Sequence, residues 1–179
     1  MTRGLVRMLE NEVMPKVLVL FDSADQRAAG FADLAAEGAK SVKFTEVDIR
    51  VVGDDTSDGS NRRRLESADV SQYDGVVVAG SDRDISASIE AVLTKAGHSH
   101  GEFVDRVFAA VGEGTTIGRR LAELGGIVVG VRAGPADADQ SARKTGERVA
   151  KVVEWVRHSL SHEHGHGTAH HAHGHHHSH

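Results

Sequence analysis

Lys16-Val-Leu-Val-Leu-Phe21, running straight into Asp22-Ser-Ala-Asp-Gln-Arg27, is the stretch whose reading decides the fold. The first half is an apolar strand and the second a polar turn, after which an alanine-rich helix runs to about Gly38. A strand feeding a tight turn and a helix N-terminus is where α/β proteins bind phosphate, because unpaired backbone N–H groups and the helix dipole point there. This loop offers the Ser23 hydroxyl and the Arg27 guanidinium, but it has no glycine and carries the carboxylates of Asp22 and Asp25. Two readings stand side by side. In one, Ser23 and the backbone amides hold a phosphate that Arg27 neutralises. In the other, Ser23 caps the helix and Gln26, three residues on, reaches back to it in a capping box. A phosphate dianion beside the two carboxylates is repelled by about 1 kcal/mol per charge pair at ~4 Å in water, and by more once desolvated.

Outward from this loop, strands and helices alternate. A helix over 24–40 carries an apolar stripe of Ala28, Phe31, Ala32, Leu34, Ala35 and Ala39. Val42–Ile49 reads as a strand of mixed faces, which suits a sheet edge. Gly53–Asn61 is a polar loop, and Arg62–Ala68 a short helix. Tyr73–Gly80 holds Val76-Val-Val78, a β-branched run expected of a strand buried on both faces. A helix over Ile85–Lys95, a strand over Val104–Val111, a helix over Thr116–Leu124, a strand over Gly126–Val131 and a last helix from Ala136 to about Leu160 complete the pattern. Strands separated by helices imply a parallel sheet covered on both faces. Right-handed crossovers over five strands predict a doubly wound α/β fold of order 2-1-3-4-5. Ligands in such sheets bind outside the strand C-termini where the winding reverses, so three loops converge on the expected crevice. They are 22–27, 81–85 and 112–116.

Composition narrows the function. A chain of 179 residues, 39% hydrophobic, suits one domain with a proper core. The formal charge of −5 argues against a nucleic-acid partner. The absence of cysteine excludes disulfides, thiolate catalysis and thiolate-held metals. No apolar run approaches the roughly 18 residues of a membrane helix, and the charged N-terminus is no secretory signal, so a cytoplasmic location is expected. The first 14 residues read as an extension, since Met14-Pro-Lys-Val-Leu18 would itself make a normal start.

From about Lys16 to Arg157 the chain resembles the flavodoxin-like NAD(P)H:quinone oxidoreductases of the tryptophan-repressor-binding-protein type. The resemblance rests on Lys16-Val-Leu-Val-Leu-Phe-Asp-Ser23, Ala35-Ala-Glu-Gly-Ala39, Tyr73-Asp-Gly-Val-Val-Val-Ala-Gly80, Leu124-Gly-Gly-Ile-Val-Val-Gly130 and Gly146-Glu-Arg-Val-Ala150, in that order. It implies FMN, two-electron reduction of a quinone by NAD(P)H, and homodimers or homotetramers. It also implies which residues would face the cofactor: Ser23, Asp25, Gln26 and Arg27; Ser81, Asp82, Arg83 and Asp84; and Gly112, Glu113, Gly114, Thr115 and Thr116. The departures fall in these loops. Gln26 stands at the phosphate loop's glycine, and the second loop, Gly80-Ser-Asp-Arg-Asp-Ile85, lacks the usual aromatic. A histidine common before the fifth strand is replaced by Gly125, and the segment that normally walls the quinone site is shortened. A flavin ring ordinarily lies against aromatic or broad apolar side chains, and aromatics are 4% of this chain. No residue stands out as a catalytic acid or base.

Three further features sit outside the loops. Arg62-Arg-Arg64 would suit a 2′-phosphate, but Asp54, Asp55, Asp58 and Glu66 make it a mixed-charge segment. Trp155, among valines of the last helix, reads as core or interface packing. The end of the chain, 161–179, has ten histidines in nineteen residues: His162, His164, His166, His170, His171, His173, His175, His176, His177 and His179. It has too few apolar side chains to fold, so disorder is expected. Neutral imidazoles at such spacing bind Ni, Zn or Cu(II). A uniform run would read as a purification tag, whereas the interspersed Gly, Ala, Ser and Glu read as a native tail. A flavin-free scaffold that binds or stores metal through this tail is the alternative to the flavin enzyme.

Overall fold

The computed structural model describes residues 14–53, 64–65, 67–80, 86–97, 103–112, 115–130 and 137–163. Five strands form one all-parallel sheet: β1 (Lys16–Asp22), β2 (Glu46–Val52), β3 (Gly75–Ala79), β4 (Val107–Val111) and β5 (Ile127–Val128). Their order is β2-β1-β3-β4-β5, the doubly wound order expected from the sequence. The helices are α1 (Gln26–Lys40), α2 (Ala87–Ala96), α3 (Thr115–Glu123) and α4 (Ala138–Glu163), with a 3-10 turn at Ser67–Gln72 before β3.

Alternation along each central strand divides the core in two. Val17, Val19 and Phe21 of β1 face α1 and α4, with Ala28, Ala32, Ala35, Val149, Ala150 and Val153. Leu18 and Leu20 face the other way, onto Ile89 and Leu93 of α2 and Leu121 of α3. There Phe103 and Phe108 meet edge to face at 5.0 Å. Every residue of β3 is buried, which is why a run of valines rather than an alternating pattern encodes it. The α1–α4 contact is close because small residues line it. A Cβ on Gly38 would come to 1.9 Å from the Arg143 carbonyl oxygen, and one on Gly146 to 1.8 Å from that of Ala35.

Several boundaries differ from the sequence expectation. The second strand starts at Glu46 rather than Val42, because the chain leaves α1 through a turn in which Phe44 adopts φ 61°. Its edge position and its alternation are as expected, with Glu46 and Asp48 outward. Among the described residues, the helix expected over Arg62–Ala68 is met only at its end, where Ser67 and Ala68 open a later 3-10 turn. Arg64 instead forms a parallel bridge with Val51, extending the sheet edge. β4 starts at Val107, since 103–105 form a turn that leaves Val104 exposed. β5 is two residues long. α4 ends at Glu163, three residues past the expected Leu160, and so takes in the backbone of His162. Trp155 is 68% exposed, so it is not core. The inner face of α4 belongs to Ala142, Val149, Ala150 and Val153.

Candidate functional site

The chain's connections change sides of the sheet between β1 and β3. α1 crosses from β1 to β2 on one face, and α2 from β3 to β4 on the other. The register lines up the ends of these strands: Asp22 opposes Val52, Phe21 opposes Ala79, and Ala79 opposes Val111. The residues that follow, Ser23, Gly53, Gly80 and Gly112, therefore rim one crevice at the C-terminal edge of the sheet. Such a reversal is the expected ligand position in an open α/β sheet.

The rim is tightly built. Ser23 N–H donates to Val52 O at 2.8 Å, and Gly80 N–H donates to Val111 O at 3.0 Å. Gly112, at φ 109°, stands so near β3 that a Cβ would lie 1.7 Å from the Gly80 carbonyl oxygen. Gly53, at φ 110°, leaves room for the Ser23 side chain; a Cβ there would be 2.6 Å from Ser23 Oγ. That hydroxyl is buried and has no hydrogen-bond partner among the described residues.

The turn between β1 and α1 decides how its sequence is used. Asp25, not Ser23, is the N-cap: its Oδ1 accepts from Ala28 N–H at 3.0 Å. The capping box is thus corrected, since β1 runs one residue further than expected and α1 starts at Gln26, with Gln26 exposed at its first position. Asp22 closes a second turn, its Oδ1 accepting from Ala24 N–H at 2.9 Å while its carbonyl accepts from Asp25 N–H at 3.0 Å. The amides of Ser23, Ala24, Asp25 and Ala28 are therefore all engaged within the chain. Arg27 is exposed on the first turn of α1.

Of the remaining expected site residues, Ser81, Asp82, Arg83 and Asp84 and Glu113 and Gly114 lie outside the described residues, as do Arg62 and Arg63. Thr115 and Thr116 open α3, which places their backbone at the crevice beside Gly112. Apart from His162, on the last turn of α4, the tail histidines from His164 to His179 lie outside the described residues. Among the described residues no group of three or more His, Asp or Glu side chains is placed to hold a metal ion. No helix among them is long and apolar enough to cross a membrane.

Two polar clusters carry no signal in the sequence. At the sheet edge Tyr73 OH donates to Asp48 Oδ2 at 2.6 Å, with Arg50 Nη2 3.3 Å from the same oxygen. The Tyr73 hydroxyl holds the Asp48 carboxyl below its usual range, and burial together with that bond pushes the phenol up. At the opposite end of the sheet a cavity of about 160 Å³ lies between α4 and the segment 104–106 that precedes β4. One of its two carboxylates, Asp74, is already paired with Lys16 N–H at 2.8 Å and Arg157 at 3.2 Å. Apart from Arg50 and Asp48, which are two residues apart, the partners in these clusters are 25 to 83 residues apart, so no local motif announces them.

The sequence matches no family model and no curated protein. The structure is similar to that of a flavodoxin from the Archaea, with a TM-score of 0.58 and 16% identity over 78% of this chain and 99% of that one. The fold is flavodoxin-like. Similar too are a diflavin flavoprotein from Nostoc sp. (TM-score 0.54, 14% identity, 83% of this chain and 99% of the other) and a flavone reductase (TM-score 0.54, 14% identity, 80% and 64%).

Proposed function

We propose that this chain binds flavin mononucleotide weakly in the crevice at the ends of β1, β3 and β4, as a relative of the quinone oxidoreductases of the tryptophan-repressor-binding-protein type. The observation that carries the reading is the buried Ser23 hydroxyl, left without a described partner at the point where the winding reverses. A buried polar atom in that state costs free energy until something satisfies it. The names of the similar structures, flavodoxin and flavoprotein, support a flavin as that partner.

When bound, the flavin would supply two-electron hydride chemistry between NAD(P)H and a quinone. The chain's own residues would hold and orient it. Ser23 and Arg27 would meet the phosphate, and the Gly80–Gly112 contact lets backbone approach closely at the middle of the crevice. Ser81–Asp84 and Glu113–Thr116 would line the ring. Asp22 and Asp25 oppose the phosphate, which is why the binding is weak. Exposed Trp155 offers apolar surface for assembly into a homodimer or homotetramer, the state the resemblance implies. A cytoplasmic location goes with this reading.

The visible spectrum of the purified protein, before and after adding FMN and removing the excess, tests it. Retained flavin absorbance with shifted bands supports the proposal. A colourless protein that leaves the added flavin's spectrum unchanged at high micromolar concentration contradicts it.

A second reading has its own observation, the ten histidines of 161–179. It assigns the chain to transition-metal binding or storage on a flavodoxin-like scaffold, with Ni, Zn or Cu(II) held by the tail. The engaged amides of the β1–α1 turn favour it, because a scaffold without flavin needs no free amides there.

A further inference from the structure

Resting on the flavin reading, we propose that the crevice discriminates against the phosphate of its ligand and takes a phosphate-free flavin of the riboflavin class at least as well as FMN. Asp22 and Asp25 stand in, from within the chain, for a bound phosphate. Asp25 Oδ1 accepts from Ala28 N–H at 3.0 Å and Asp22 Oδ1 from Ala24 N–H at 2.9 Å. Both are carboxylate oxygens on amides of the β1–α1 turn, where an anion would otherwise sit. The amides of Ser23 and Asp25 are held by the Val52 and Asp22 carbonyls. A phosphate entering here must first break the α1 cap and then lie beside two carboxylates of the turn, whose own guanidinium is the exposed Arg27.

A neutral ribityl chain meets none of these obstacles. Its hydroxyls donate as well as accept, so the same carboxylates that repel a dianion become acceptors for it. Gly53 and Gly112 add no side chain to the rim. The charge pattern of the turn thus selects the ligand's class, flavin without phosphate, while the fold selects its position.

Quenching of flavin fluorescence by the full chain, titrated with riboflavin and with FMN, tests this. We expect riboflavin to bind as tightly as FMN or more tightly. Asp25→Gly, which frees Ala28 N–H and removes the charge, should strengthen FMN binding about tenfold and leave riboflavin within about twofold. Asp25→Asn removes the charge and keeps a capping oxygen, so it separates repulsion from loss of the cap and should give part of that gain. FMN binding tenfold tighter than riboflavin in the unaltered chain overturns the inference and leaves the flavin reading intact. Equal gains for both ligands in the Asp25 variants overturn it as well. No binding of either flavin by any of the three proteins overturns both.

Discussion

Ser23 and Asp25 exchange the roles that residue type alone would give them. Both are good helix caps, but the carboxylate two residues on does the capping and the hydroxyl is buried facing Gly53. The consequence for stability is opposite at the two positions. Asp25→Ala should lower it by about 1 kcal/mol, the ordinary cost of a lost N-cap. Ser23→Ala removes a buried group with no described partner and should leave stability unchanged or raise it. Urea denaturation of the two variants checks this, and a larger loss at Ser23 than at Asp25 would return the cap to Ser23. Tyr73 gives a second test at this scale. Its bond to Asp48 lowers the carboxyl's pKa, so that contribution is present above the unfolded value near 3.8 and fades as pH falls through the folded one. The phenol's pKa is raised, so its contribution is full below about 10 and is lost as pH rises through the folded value. Tyr73→Phe should therefore cost about 1 kcal/mol at neutral pH, with a difference from the unaltered chain that shrinks in acid. A difference independent of pH would show that the Asp48 bond contributes nothing.

Among the elements, α1 and α4 are held together by absent side chains. Gly38 and Gly146 each face a backbone carbonyl of the other helix at a distance that a methyl group cannot share. Helix propensity favours alanine at both by about 1 kcal/mol, but neither helix backbone can retreat without opening the core of Ala28, Ala32, Ala35 and Ala150. We expect Gly146→Ala to destabilise by about 1–3 kcal/mol, measured as a lower denaturation midpoint, and a stabilised protein would show the helices are not packed this closely. The same elements show what a sequence discloses. The doubly wound order is legible because Val17–Phe21 and Val76–Val78 are buried on both faces, and continuous apolar runs announce such strands. The start of β2 is not. Val42 packs partly against the core beyond the end of α1, so its side chain looks like a strand residue while its backbone belongs to a turn. The location of the crevice is readable from strand order. The cap within it is not, because it depends on where β1 ends, and one residue of strand moves the cap by two. Gly53 reads in the sequence as a plain loop residue, and only the pairing of Asp22 with Val52 brings it against Ser23.

In the metal-binding reading proposed above, the histidine-rich end works independently of the flavodoxin-like body. The tail should bind several Ni, Zn or Cu(II) ions whether or not the body holds flavin, and lose them below about pH 5.5 as imidazoles protonate. Calorimetric titration of the full chain against one ending at Leu160 checks this; equal stoichiometry in the two would place the metal in the folded body instead. In the function proposed for the body, a flavin occupies the crevice where the winding reverses. Its most direct test is amide-resolved NMR of the full chain titrated with riboflavin and FMN. Flavin in the crevice predicts that shifts concentrate at Ser23–Arg27, Gly53, Gly80 and Gly112, and leave Asp74 and Arg157, at the far end of the sheet, unmoved. Shifts centred on Asp74 and Arg157, or none at millimolar flavin, would contradict it.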